Sequence, residues 1–167
     1  MIKQYIEKVS ILTLLLIAFS SCSLERLESA QEVAEGGGTI NTFTAYTIDS
    51  TDPMGSNVYG RIVFWKTELD QTLVQISLYN TIEDTLHPAV LIDGEVGIGT
   101  SVSMTLDDVD GTTGELADNK FFLISDTSFY DSIASLDAHV SIALSTDDDT
   151  VVAEGNIGAN ATPVDSN

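Results

Sequence analysis

From residue 39 onward the dominant rhythm of the chain is two. Residues 101–106 (SVSMTL) alternate polar and apolar at every step, the pattern of a half-buried strand. Comparable runs occupy 57–66, 72–79, 138–144 and 150–157, with less regular ones at 39–48, 89–92 and 120–124, which makes about eight strands. Successive strand side chains face opposite sides, so Val74, Ile76 and Leu78, and likewise Val102, Met104 and Leu106, are expected to point into one core. Between the runs stand Asp52-Pro53-Met54-Gly55, Glu68-Leu69-Asp70, Asp93-Gly94, Asp107-Asp108-Val109-Asp110-Gly111 and Thr146-Asp147-Asp148-Asp149. These are turns: Asp bonds its own backbone and Gly accepts positive φ. One segment, 128–136 (SFYDSIASL), keeps a different period. Its Phe129, Ile133 and Leu136 fall at i, i+4 and i+7, so it reads as one short amphipathic helix or a pair of turns. Short strands with a single helical insert predict an all-β fold, an antiparallel β-sandwich of about eight strands, over residues 39–160. No repeat of 20–50 residues is visible, which argues against propellers and solenoids.

Charge narrows the function classes. Against 6 Lys+Arg the chain has 26 Asp+Glu, a formal net charge of −20, and nucleic acid is excluded as a partner because phosphate binding needs clustered cations. At 43% hydrophobic residues the chain is too apolar for a disordered acidic tail. A single Cys leaves no internal disulfide and no Cys-rich metal centre, and two His supply little imidazole chemistry. No nucleophile elbow, P-loop or Rossmann glycine pattern occurs.

The first 21 residues are an address. Lys3 and Lys8 precede the nine-residue run Ile11 to Phe19, then small Ser20 and Ser21 precede Cys22. A run of nine residues is about half of the roughly 20 that span a bilayer, so cleavage is expected rather than a permanent span. Phe19-Ser20-Ser21-Cys22 resembles a bacterial lipoprotein signal, with Phe19 near the slot where Leu is usual. The resemblance implies lipidation of Cys22 and a membrane anchor, since two or more acyl chains hold firmly where one does not. Removal of residues 1–21 would leave 146 residues with 4 Lys+Arg and 25 Asp+Glu, a net charge of −21. Residues 22–38, acidic and closing on Gly36-Gly37-Gly38, read as a flexible tether, and 161–167 as a disordered tail.

Five blocks within the body carry a second resemblance: Leu78-Tyr79-Asn80-Thr81, His87-Pro88-Ala89, Asp107 to Gly114, Tyr130-Asp131-Ser132-Ile133 and Val151 to Asn160. In order and spacing they resemble the CHRD (chordin-type) domain of Bacteroidetes lipoproteins. That resemblance implies a sandwich similar to Cu/Zn superoxide dismutase, and a lipid-anchored place in the cell envelope, at the outer membrane or cell surface of a Gram-negative bacterium. The departures carry more information. Where the family continues His-Pro-Ala with further histidines, this chain has Val90 and Ile92, and Ala143 stands where a later strand would bring another. A dismutase-like copper site needs several His and a carboxylate, which this chain does not supply.

The remaining candidates have plain readings. His87, before Pro88, reads as a histidine bonding a loop; His139 aligns with the family's aromatic rather than a ligand. Asp107, Asp108 and Asp110, and Asp147, Asp148 and Asp149, offer the clustered oxygens calcium takes, but DDVDG lacks the full calcium loop with its distal Glu. Trp65 and Tyr79 would form a sugar platform if exposed, although Trp65 beside Phe64 reads better as sheet packing. The expectation is a non-catalytic, membrane-anchored binding or structural module without cofactor or metal, its ligand a protein or a glycan. The alternative is a metal-binding or enzymatic protein with a dismutase-like fold and a non-standard site.

Overall fold

The computed structural model of the chain describes residues 40–51, 53 and 55–165. The signal segment, the lipidation at Cys22 and the tether, all expected from sequence, fall outside the described residues.

Eleven strands form one antiparallel, curled sheet: β1 Thr42–Ser50, β2 Tyr59–Lys66, β3 Thr72–Tyr79, β4 Leu86–His87, β5 Ala89–Asp93, β6 Ser101–Thr105, β7 Val109–Asp110, β8 Glu115–Leu116, β9 Phe122–Ile124, β10 Asp137–Ser145 and β11 Asp148–Gly158. Their order is β4-β7-β8-β3-β2-β1-β11-β10-β5-β6, with β9 beside β3 off this path. All eight expected runs are strands. The count rises to eleven because β4, β7 and β8 are two-residue strands, too short to show a period, and β7 falls inside the acidic run read as a turn.

Strand β1 turns the sheet over on itself. Residues Thr42 to Ile48 pair with β2, whereas Asp49 and Ser50 pair with Glu154 and Ala153 of β11. Two wings therefore meet at β1, and their inner faces share one core. From one wing come Tyr46, Ile62, Phe64, Val74, Ile76 and Leu78; from the other come Leu91, Val140, Ile142, Val152 and Ile157. The alternation in β3 is complete, with Thr72, Val74, Ile76 and Leu78 buried and the residues between them half-buried.

β6 departs from its sequence pattern. Leu106 is buried and Met104 packs half-buried against the core, but Val102 is 54% exposed. The cause is a register shift between Leu91 and Ile92 of β5: Met104 sits opposite Leu91, facing in, while Val102 sits opposite Ile92, facing out. An edge strand with a bulge relaxes the demand that every apolar residue point inward.

The helical insert is a single turn of helix, α1 Phe129–Ser132, continued by a tighter 3₁₀ turn, Ile133–Ser135. Ile133 is buried, with Phe129 and Leu136 packed against the core, as their spacing implies. The insert fits because β11 ends on Gly158 with φ +66°. A Cβ there would run into the Leu136 carbonyl oxygen, so only glycine lets the strand end lie this close to the turn. Lys66 Nζ ties the insert to β2, 2.8 Å from Asp131 and 3.3 Å from Asp70, and sits 5.7 Å from the centre of the Tyr130 ring. The hydrogen bond to Asp131 lifts the ammonium above its usual range, against a weaker opposing effect of desolvation.

The segment after Asn160, expected to be loose, is held at Val164, whose N–H donates to the Ala45 carbonyl at 2.9 Å. No helix among the described residues is long and apolar enough to cross a membrane.

Candidate functional site

Both histidines are bound to main chain. His87 is fully buried in β4, its Nδ1 3.1 Å from the Ala143 carbonyl and its Nε2 3.4 Å from the Ile82 N–H. A carbonyl can only accept and an N–H can only donate, so Nδ1 carries the hydrogen and Nε2 accepts. The ring joins the loop after β3 to the irregular end of β10, where the Ala143 N–H donates back to the Pro88 carbonyl at 2.9 Å. His139 is buried for a different reason. Its Nδ1 lies 2.8 Å from the Gly94 carbonyl, and neighbouring Asn156 Oδ1 accepts from the Val96 N–H at 2.8 Å, so the loop of residues 94–99 is fastened over it.

Val90, Ile92 and Ala143 are half-buried, and none lies in the core. Val90 pairs with Ser141 and Ile92 with His139, which places both on the outer face of the β5–β10 pair, while Ala143 lies beyond the last pair, at the irregular end of β10. Val90 and Ile92 thus share that face with the polar side chains of Ser141 and His139. Among the described residues no three His, Cys, Asp or Glu are grouped to hold a metal ion.

The acidic turns use their carboxylates on their own backbone. Asp110 Oδ1 accepts from the Thr112 N–H at 2.7 Å, and Asp148 Oδ1 from the Thr150 N–H at 3.0 Å. Asp107 has a raised pKa, pushed up first by burial and then by the charges of Asp118 and Asp108.

Surface chemistry concentrates on the outer face of the β1–β2–β3 wing. Phe64 points into the core, and its neighbour Trp65 points out, half-buried, donating Nε1–H to Gln75 Oε1 at 3.2 Å and lying 5.1 Å from Phe43. Tyr79 is 53% exposed and stacks on Tyr59, 43% exposed, with centroids 5.3 Å apart and planes at 27°. The two tyrosines are cross-strand partners in register. Trp65 and Tyr79 do not form one platform. Tyr59 and Trp65 stand six residues apart on β2, about 20 Å along a strand, so the aromatics form two groups at opposite ends of the face.

Next to the tyrosine pair is a shallow depression of about 470 Å³, lined by Thr47, Tyr59, Gly60, Arg61, Tyr79, Val164 and Asp165. Thr47 and Arg61 are register partners across β1 and β2 and make its floor. The segment fixed at Val164 makes its far wall. Sequence reasoning missed Arg61, Tyr59 and Asp165. The strand register could have supplied the first two, but the docking of Val164 has no local signal.

Compared with known proteins, the chain matches no family model, no curated protein and no solved structure.

Proposed function

We propose that the chain is a non-catalytic module of the cell envelope, similar to CHRD-domain lipoproteins, anchored to the membrane through lipid on Cys22 and acting by binding through its surface. The observation that carries this reading is where the chemistry lies. The interior of the sandwich is filled largely by apolar side chains, both histidines are bonded to main-chain groups, and the exposed tyrosine pair stands with Arg61 on the outer face of β1, β2 and β3. Supporting the anchor are the charged start, the apolar run 11–19, the small residues before Cys22 and the absence of any other cysteine. A surface this acidic repels anionic headgroups, so a covalent anchor supplies what electrostatic attraction does not. The test is fractionation of cells expressing the full chain: Cys22→Ser should leave the membrane fraction or remain unprocessed. Normal cleavage with undiminished membrane retention would refute the anchor.

A further inference from the structure

Residues 40–165 contain three cationic side chains, Arg61, Lys66 and Lys120. Lys66 is engaged by Asp131 and Asp70. Arg61, in contrast, is half-buried in the middle of the outer face and makes no ion pair and no side-chain hydrogen bond among the described residues, in a protein with 26 carboxylates. Its row across the sheet is Thr47, Arg61, Ser77 and Glu115; the nearest carboxylate of that row is two strand spacings away, roughly 10 Å. A guanidinium has five donors in a fixed fork, and leaving them without partners at a half-buried position costs free energy that a ligand recovers. Beside it the Tyr59–Tyr79 pair presents exposed ring surface and hydroxyls, and opposite it Asp165 offers acceptors.

We infer that the depression between Tyr59, Tyr79, Arg61 and Asp165 binds a neutral oligosaccharide. The inference rests on the surface-binding reading above and names the ligand class for it. Three features select this class. The exposed tyrosine faces carry negative quadrupole charge and meet the polarised C–H groups on one face of a sugar ring. Arg61 donates and Asp165 accepts, which suits hydroxyl groups that do both. The net charge of −20 excludes polyanions, because the summed field opposes their approach, so the arginine is a hydrogen-bond donor here rather than an anion hook. The volume of about 470 Å³ falls within the ~300–1,000 Å³ typical of small-ligand sites, and its shallow form suits a chain lying across the strands rather than a buried molecule.

The experiment uses the full chain purified in detergent and titrated with a panel of soluble neutral oligosaccharides (gluco-, manno-, xylo- and chito-oligomers), with polygalacturonate and heparin as anionic arms. The expected result is saturable binding of at least one neutral series. Tyr79→Ala and Arg61→Gln should each weaken it about tenfold or more, whereas Trp65→Ala, at the far end of the face, should change it less than about twofold. Raising salt from about 0.05 to 0.5 M shrinks the screening length severalfold and should leave the affinity within about twofold. Urea midpoints of the Tyr79 and Arg61 variants within error of the parent would show that the loss is local. Binding only to the anionic polymers, binding undiminished in the Tyr79→Ala/Arg61→Gln double variant, or binding to no member of the panel would each overturn the inference. If glycan binding fails while Cys22→Ser still releases the protein from membranes, the anchored-module reading stands without this ligand; if binding holds and Cys22→Ser stays membrane-bound, the anchor falls and the site remains.

Discussion

Replacing His87 separates the structural account of this residue from a metal account. The imidazole is completely buried and makes two hydrogen bonds, to the Ala143 carbonyl and the Ile82 N–H, across the join between the loop after β3 and the end of β10. His87→Ala removes a buried ring, which by analogy with aromatic truncations costs up to about 3–5 kcal/mol. It also orphans an acceptor and a donor, each worth about 1 kcal/mol in net terms. Ile82 lies at the surface, so water replaces that bond cheaply, and the sum expected is up to about 4–6 kcal/mol. His87→Phe keeps a ring and loses both bonds, so it should cost about 1–3 kcal/mol. Urea denaturation followed by Trp65 fluorescence measures both values. A loss below about 1 kcal/mol for His87→Ala would refute the reasoning, since neither a buried ring nor two bonds vanish at that price.

The remaining predictions concern the sheet, the charges and metals. Ile76→Asp, which buries an unpaired charge in β3, should cost several kcal/mol by the same denaturation assay, whereas Val102→Asp, on the outer face of β6, should stay within about 0.5 kcal/mol. Gly158→Ala should cost at least about 2 kcal/mol, because a positive φ and the Leu136 carbonyl both oppose a Cβ; equal melting temperatures would contradict the close approach. Asp107 has a folded-state pKa above the unfolded one, so its ionised form is disfavoured by folding. Asp107→Asn should therefore raise the melting temperature at neutral pH, with the gain fading as pH falls through the raised pKa toward the ordinary carboxylate range. Chelation by EDTA should leave the melting temperature unchanged, and added copper should give no superoxide consumption. Stabilisation by one equivalent of copper or zinc that is lost in His87→Ala would overturn the non-metal reading.

Most of the fold could be read from alternation because these strands have one dry face and one wet face, the condition under which a period of two appears. Strand β3 shows it residue by residue. What alternation could not reach has physical causes. The two-residue strands β4, β7 and β8 are held by tertiary pairing rather than by their own pattern. Val102 escapes the core through a bulge in its own strand, where Ser103 is the extra residue against β5. His139 stands on an outer face and is buried all the same, because the loop that begins at Gly94, 45 residues earlier in the chain, folds over it. The same limit applies to the candidate site. Tyr79 was visible as an exposed aromatic, but its partner Tyr59, the floor at Arg61 and the wall at Val164 depend on register and on a segment that sequence alone reads as loose.

Strand β1 belongs to both wings, and that has a mechanical consequence. The chain coming from Cys22 reaches the described body at the Thr42 end of β1, while the Tyr59–Tyr79 pair lies at the opposite end, beside Ile48 and Gly60. A pull between a membrane anchor and a bound polymer would run along the strand axis, not across it. The seven register pairs from Thr42–Lys66 to Ile48–Gly60 would then be loaded together in shear, so that no single bond gives way first, as it does when a hairpin is peeled open. Continuing past Ile48, the same strand hands the load to β11 through Asp49 and Ser50, and the second wing shares it.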